Sequence, residues 1–254
     1  MMSLKTKLHA GKLTVGSWIT LAHPAIAEIM AKAGFDWLTV DLEHSVITIR
    51  EAEDLIRVID LCNVAPLVRL SANDPVQIKR VMDAGAHGII VPMVNKREEA
   101  VAAVHAVYYP PDGGRGVGLA RAQGYGTSFQ QYHEWLEHKA LVIVQVEHID
   151  AVNNLADILS VPGIDGYFIG PYDLSASMGL AGKFDHPNMI AAVEKIKQMG
   201  LKYGKPGGLH IVEPDISQLE KRIKEGFKFL AYSLETRVLD TACRSVLNII
   251  RRHE

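Results

Sequence analysis

Four apolar runs in this chain end on residues that can bind or move charge. WLTV leads into Asp41-Leu42-Glu43-His44, PLV into Arg69, LVIV into Gln145-Val146-Glu147-His148, and YFI into Gly170-Pro171-Tyr172-Asp173. If each run is a strand of one parallel sheet, all four ends share a rim, where α/β barrels gather their chemistry. Glu147 and Asp173 would then be neighbours, and two carboxylates repel unless a cation lies between them. A hard divalent ion resolves the repulsion: Mg²⁺ or Mn²⁺, with Co²⁺ as a further candidate, takes one or two carboxylates and leaves positions for water and substrate oxygens. The alternative for either acid is a helix cap, and Asp173 ahead of LSASMG has that pattern too.

Arg69 stands where an apolar strand opens to solvent, with no acid three or four residues on to pair it locally. Its planar donors suit a carboxylate or a developing enolate oxygen; the competing role is an ion pair with Glu43 or Asp41. Gln145 lies two residues before Glu147 and so on the same strand face, where it either supports the same ligand or fills a polar layer. His44 is the candidate general base, since imidazole titrates near neutral pH. Asp83, in VMDAG, is a candidate partner that could equally be a solvated helix end. His23, His105, His133, His138, His186 and His253 fall in helices or helix starts; His148 and His210 stand at strand ends with their roles open.

The elements that must position these residues alternate through the whole chain. Strand-like runs at Thr14–Thr20, Trp37–Glu43, Pro66–Leu70, Gly88–Val94, Leu141–Glu147, Gly166–Pro171, Gly207–Ile211 and Phe227–Ser233 are separated by helical patterns such as IREAEDLIRVIDLC and KREEAVAAVHAVYY. Eight βα units with continuously apolar strands imply a sheet covered on both faces, and the reading is a (β/α)₈ TIM barrel. An open doubly wound sheet would carry a glycine-rich phosphate turn after its first strand; TLAHPAIAE has none. The connection from Tyr109 to about Gly126 holds Gly113, Gly114, Gly116 and Gly118 and is a candidate lid or subunit-contact loop.

The 254 residues, 48% of them hydrophobic, suffice for one core, so residues 1–254 read as one domain. A net charge of −2 offers no footprint for nucleic acid or an anionic membrane, so the expected partner is a small molecule. Cys62 and Cys243 lie in helix-like segments, which excludes a disulfide framework or thiol zinc site and suits a reducing cytoplasm. No signal-like or membrane-spanning run is visible. Strands two to six contain no lysine, and Lys205 and Lys228 lie at strand beginnings, away from the catalytic ends, so imine catalysis is disfavoured.

The ordered set WLTVDLEHS, APLVRL, GIIVPMV, YYPPDGGRGVG, VQVEH and FIGPYDLSASMG resembles the HpcH/HpaI aldolase family over nearly the whole chain. The resemblance implies a metal-dependent class II aldolase acting on 4-hydroxy-2-oxo acids through pyruvate enolate, as a homohexamer (a dimer of trimers) with an exchanged C-terminal helix. It implies Glu147 and Asp173 as metal ligands and Arg69 beside the pyruvate carbonyl, with Gln145 and Leu209 lining the ketoacid site. Main-chain amides near Pro171, Tyr172 and Asp173 would receive its carboxylate, His44 with Asp83 would form a base dyad, and Asp41 and Glu43 would act behind these through water. KPGGLHIVEP and GLARAQGYG depart from the expected family pattern, and both lie where the aldehyde half would sit. The alternatives are a CoA-ester lyase of the citrate lyase β type and a ketoacid-binding barrel without turnover. The apolar positions of TRVLDTACRSVLNIIRRHE form a face broader than one barrel flank requires, in keeping with an exchanged helix; the alternative is an ordinary eighth barrel helix.

Overall fold

Val, Ile and Leu runs that are apolar at every position form stable strands only where both faces are covered, and here every one of them is. In the computed structural model, which describes residues 2–250 with side chains through Leu247, eight parallel strands close into a barrel in sequence order. They are β1 (Thr14–Ile19), β2 (Trp37–Asp41), β3 (Ala65–Arg69), β4 (Gly88–Val91), β5 (Leu141–Val146), β6 (Gly166–Ile169), β7 (Gly207–Ile211) and β8 (Phe229–Leu234), with β8 pairing back onto β1. All eight expected strands form. Glu43 and Glu147 fall one or two residues past their strands, so their side chains are carried by turns that the strands hold in place.

The helices are α1 (Leu4–His9), α2 (Pro24–Lys32), α3 (Ile49–Leu61), α4 (Pro75–Asp83), α5 (Arg97–Val107), α6 (Phe129–Lys139), α7 (Ile149–Asn153), α8 (Leu155–Leu159), α9 (Pro171–Ser177), α10 (Pro187–Lys202), α11 (Ile216–Lys224) and α12 (Glu235–Ile250). Their starts follow the sequence signals. Thr48 and Glu51 form a reciprocal capping box on α3, and Asp74 and Asp215 accept from the first free N–H groups of α4 and α11. His23, His148 and His186 are likewise N-caps, which settles His148 as a helix start; His253 lies outside the described residues.

The period of two divides each strand between two cores. One face packs against the helices. The other fills the barrel: Trp18, Trp37, Leu67, Ile90, Ile143, Phe168 and Phe229 form a separate interior cluster, which Leu4 and Leu8 of α1 close at the amino-terminal end. Each such side chain, fully buried, contributes roughly 1.5–3 kcal/mol. Gly16 is required beside this cluster, because a Cβ there would sit 2.0 Å from the Trp37 ring.

Two loop and helix expectations need comment. The 109–126 connection is no lid within this chain: it follows α5 and packs on helix carboxyl ends, so it lies at the end of the barrel away from the strand termini. Arg115 is buried against the rings of Tyr109 and Tyr132 and donates to Tyr132 Oη at 3.0 Å, while Arg121 donates to the Ala84 carbonyl and to Asp60. The last helix, α12, is anchored on β8 and β1 and then leaves the barrel, with Val238, Leu239, Val246 and Leu247 exposed. Among the described residues no helix is long and apolar enough to cross a membrane.

Candidate active site

The carboxyl-terminal rim assembles as the strand ends require. Asp41, the last residue of β2, accepts Arg69 Nε at 2.9 Å and Nη2 at 2.6 Å, a two-point pairing that fixes the guanidinium plane. The third nitrogen, Nη1, is 3.3 Å from Glu43 Oε2. Asp41 Oδ1 also accepts from the backbone of Glu43 and His44, so the same carboxylate shapes the turn after β2 and aims Arg69. The ion pair weighed against a substrate role for Arg69 does form, and the pair holds the side chain at the mouth of the cavity. Its guanidinium lies 4.4 Å from the centre of the Trp18 ring.

Glu147 is buried. Its Oε1 accepts the Met93 N–H at 2.7 Å and its Oε2 accepts from the Gln145 amide, whose own Oε1 is sealed without a partner. Burial pushes the Glu147 carboxyl up against the lowering by these two donors, and the neighbouring Asp173 pushes it further. Gly170 makes room beside it: a Cβ there would lie 2.7 Å from Glu147 Oε2. Asp173, in the first turn of α9, is exposed and makes no capping bond; the α9 start at Gly170 has no side-chain cap at all. Glu43 is pushed up to about 7, first by burial, with Arg69 opposing and Glu147, Asp41 and Asp173 adding repulsion. Four carboxylates thus face one guanidinium, an unbalanced arrangement that a cation would relieve.

The rim opens into a cavity of about 940 Å³ lined by His44, Arg69, Gln145, Pro171, Tyr172 and Asp173, among others. An outer branch between α10 and α11 carries Lys197, Lys221 and Arg222, of which Lys197 pairs with Glu194 and Arg222 with Glu225.

One expected placement is corrected, that of Asp83 beside His44. Leu209 lines the cavity as expected while packing with the helix-facing layer; His210, one residue on and so on the opposite face, is the β7 side chain that enters the barrel. Asp83 does not meet His44. It ends α4 and so lies at the amino-terminal end, 3.9 Å from Arg115, with burial pushing its carboxyl up and one oxygen sealed without a partner. His44 itself is exposed at the rim, 3.9 Å from Glu43. Neither Trp18 nor His210 was assigned a site role from the sequence. No alternation in Gly207-Gly208-Leu209-His210-Ile211 marks His210 as inward, so β7 carried no sequence signal for it.

A closed parallel barrel with an acid-rich carboxyl rim and a fixed arginine is the architecture of a carbon–carbon lyase that handles oxoacids. The chain belongs to the HpcH/HpaI aldolase/citrate lyase family, whose pattern matches residues 14–242. It is 41% identical over 247 residues to 4-hydroxy-2-oxo-heptane-1,7-dioate aldolase from Escherichia coli (strain ATCC 8739), covering 96% of this chain and 93% of that one. A hydroxypyruvate/pyruvate aldolase from Sagittula stellata is 40% identical over 243 residues, covering 94% and 93%. A solved family structure from Burkholderia cenocepacia J2315 superposes with a TM-score of 0.92 at 31% identity and covers 98% of each chain.

Proposed function

We propose that this enzyme is a divalent-metal-dependent aldolase that cleaves or forms 4-hydroxy-2-oxo acids, giving pyruvate and an aldehyde. The observation that carries the reading is the excess of acid at the rim, where the exposed Asp173 adds to the cost of ionising the buried Glu147 beside an unpaired Gln145 oxygen. These groups fit a hard ion. Among the described residues no three His, Cys, Asp or Glu side chains are placed to hold one metal ion together, so Glu147 and Asp173 would supply two ligands and water or substrate oxygens the rest, as Mg²⁺ or Mn²⁺ prefers. When bound, such an ion acts as a Lewis acid toward the ketoacid oxygens.

The chain's own groups do the remainder. Arg69, held flat by Asp41, places donors where negative charge grows on the ketone oxygen, which favours the transition state over the ground state. Backbone N–H groups at the start of α9 face the ketoacid carboxylate. His44 is the group at the rim able to take the C4 hydroxyl proton near neutral pH. Since Asp83 lies at the opposite end of the same barrel, a His44–Asp83 dyad is available only between subunits. The exposed apolar face of α12 supports the same assembly, a homohexamer with exchanged helices. Release of pyruvate from a panel of 4-hydroxy-2-oxo acids, with and without exhaustive chelation, tests the reading. Activity restored by Mg²⁺ or Mn²⁺ is expected; full activity in chelator, or a lysine adduct trapped by borohydride with pyruvate, would reject it.

A further inference from the structure

His210 is the polar side chain of β7 that points into the barrel. Its ring lies 5.6 Å from the Trp18 ring, whose centre is also 4.4 Å from the Arg69 guanidinium. Its Nε2 is 3.1 Å from the Ser233 carbonyl, which can only accept, so Nε2 carries the hydrogen. The contact is built in: Ser233 adopts a positive φ of 53°, and its carbonyl also accepts from Ser17 Oγ at 3.0 Å. Such a backbone angle is costly for serine and fixes where the carbonyl points. Burial, with Arg69 adding to it, holds the imidazole down at about 4 against the Ser233 bond, so the ring is neutral in the working range.

A neutral ring with hydrogen on Nε2 has a bare lone pair on Nδ1. Among the described residues nothing donates to Nδ1, it is not among the sealed unpaired atoms, and the ring lines the reaction cavity. We propose that His210 selects substrates by accepting a hydrogen bond at Nδ1 from a substrate hydroxyl, so that the enzyme prefers hydroxylated partners over apolar or carboxylate-ended ones. The assignment rests on the aldolase reading of the same cavity. An apolar group would leave the lone pair unpaired, and a carboxylate would meet it oxygen to nitrogen with no proton between them. The hydroxyl can belong to the ketoacid or to the aldehyde.

Matched isosteres distinguish these sources: hydroxypyruvate against 2-oxobutanoate as the ketoacid with one aldehyde, and glycolaldehyde against propanal with pyruvate, with succinic semialdehyde as the carboxylate-ended case. In the arm where the hydroxyl reaches Nδ1, kcat/KM should favour the hydroxylated member by about tenfold or more. His210→Phe should abolish that preference, and His210→Gln, which keeps both a donor for Ser233 and an acceptor, should retain part of it. No hydroxyl preference of the natural enzyme in either arm, or a preference unchanged in His210→Phe, would overturn the assignment; the first comparison needs no variant to fold. Calorimetric binding of hydroxypyruvate and 2-oxobutanoate separates the two readings. Hydroxyl-selective binding without turnover would remove the aldolase reading and keep His210, whereas turnover without selectivity would do the reverse.

Discussion

The two ends of the barrel treat buried charge in opposite ways. At the amino-terminal end each acid has its cation: Asp165 takes Lys5 at 3.1 Å and His9 at 3.0 Å, Asp36 takes Lys7 at 2.6 Å, and Asp60 takes Arg121 at 2.6 Å and His87 at 3.3 Å. Burial pushes Asp60 up, yet the bonds from His87 and Arg121 outweigh it and its carboxyl is held down. At the carboxyl-terminal end Glu147 and Glu43 are both pushed up, first by burial and further by the neighbouring acids, and Arg69 does not offset this. Balanced charge is what a fold needs, and unsatisfied charge is what a binding site needs. Asp83 is the exception at the amino-terminal end: with Arg115 no nearer than 3.9 Å, its carboxyl is pushed up by burial as the rim acids are.

The sharpest break of this comparison exchanges the two kinds of acid. Glu147→Gln should lower turnover at least about thousandfold, the several kcal/mol that loss of a metal-binding carboxylate implies, while leaving thermal stability equal or higher because a repelling charge is gone. Asp165→Asn should do the opposite, costing about 3 kcal/mol of stability by orphaning Lys5 and keeping turnover per folded molecule. Denaturant unfolding and pyruvate release on both variants decide; a large stability loss in Glu147→Gln would place it with the structural acids.

Next in size is the dyad. His44→Ala and Asp83→Ala should each lose about 10²- to 10⁴-fold in turnover. A mixture co-refolded from the two should recover activity, since some interfaces would pair an intact His44 with an intact Asp83. Mixtures no better than the parents would show that the two residues do not act together.

Much of this was legible in the sequence, and the misses have two causes. Continuous apolar strands, Pro and Asp helix starts and the polar residues at strand ends gave the barrel and the members of its rim, because each is a local pattern. Strand parity was not legible for β7: Gly207-Gly208-Leu209-His210-Ile211 has no alternation to mark its inward face, so His210 could not be assigned beside Leu209. The barrel packs Gly208 there under Phe168 and Phe229, and that tertiary contact sets the face. Asp83 failed for a different reason. Nearness in a motif set says nothing of which end of a βα unit a residue occupies, whereas a helix C-terminus in a barrel is always at the far end.

Arg69→Lys tests whether the rim ion pair is structural or positioning. A lysine can keep one contact to Asp41 but not the two-point pairing that orients the remaining donors. Turnover should fall about 10²- to 10³-fold, the usual effect of losing one directed donor at a developing oxyanion, with a small change in unfolding temperature. Near-normal turnover with a clear loss of stability would move Arg69 to the class of Arg121.

The smallest expected effect is a pH slope. An ordinary glutamic acid titrates near 4.5, and Glu43 in the fold is raised to about 7 by burial, against Arg69 and with help from the neighbouring acids. Below 4.5 both folded and unfolded chains hold the proton, so Glu43 costs nothing. Between 4.5 and 7 the unfolded chain releases its proton while the folded chain keeps it, so stability falls as pH rises, by at most about 3 kcal/mol once pH exceeds 7. His210 works in the opposite direction: depressed from 6.5 to about 4, it makes stability fall as pH drops through that window, so the two slopes largely mask each other in the natural protein. The difference in unfolding free energy between natural protein and Glu43→Gln, followed from pH 4 to 8 in chelator, isolates the acid. It should move steadily in favour of Glu43→Gln as pH rises, and saturating Mg²⁺ or Mn²⁺ should flatten it by favouring the ionised rim. A difference that is flat without metal would mean that Glu43 is as well compensated as the acids at the other end of the barrel.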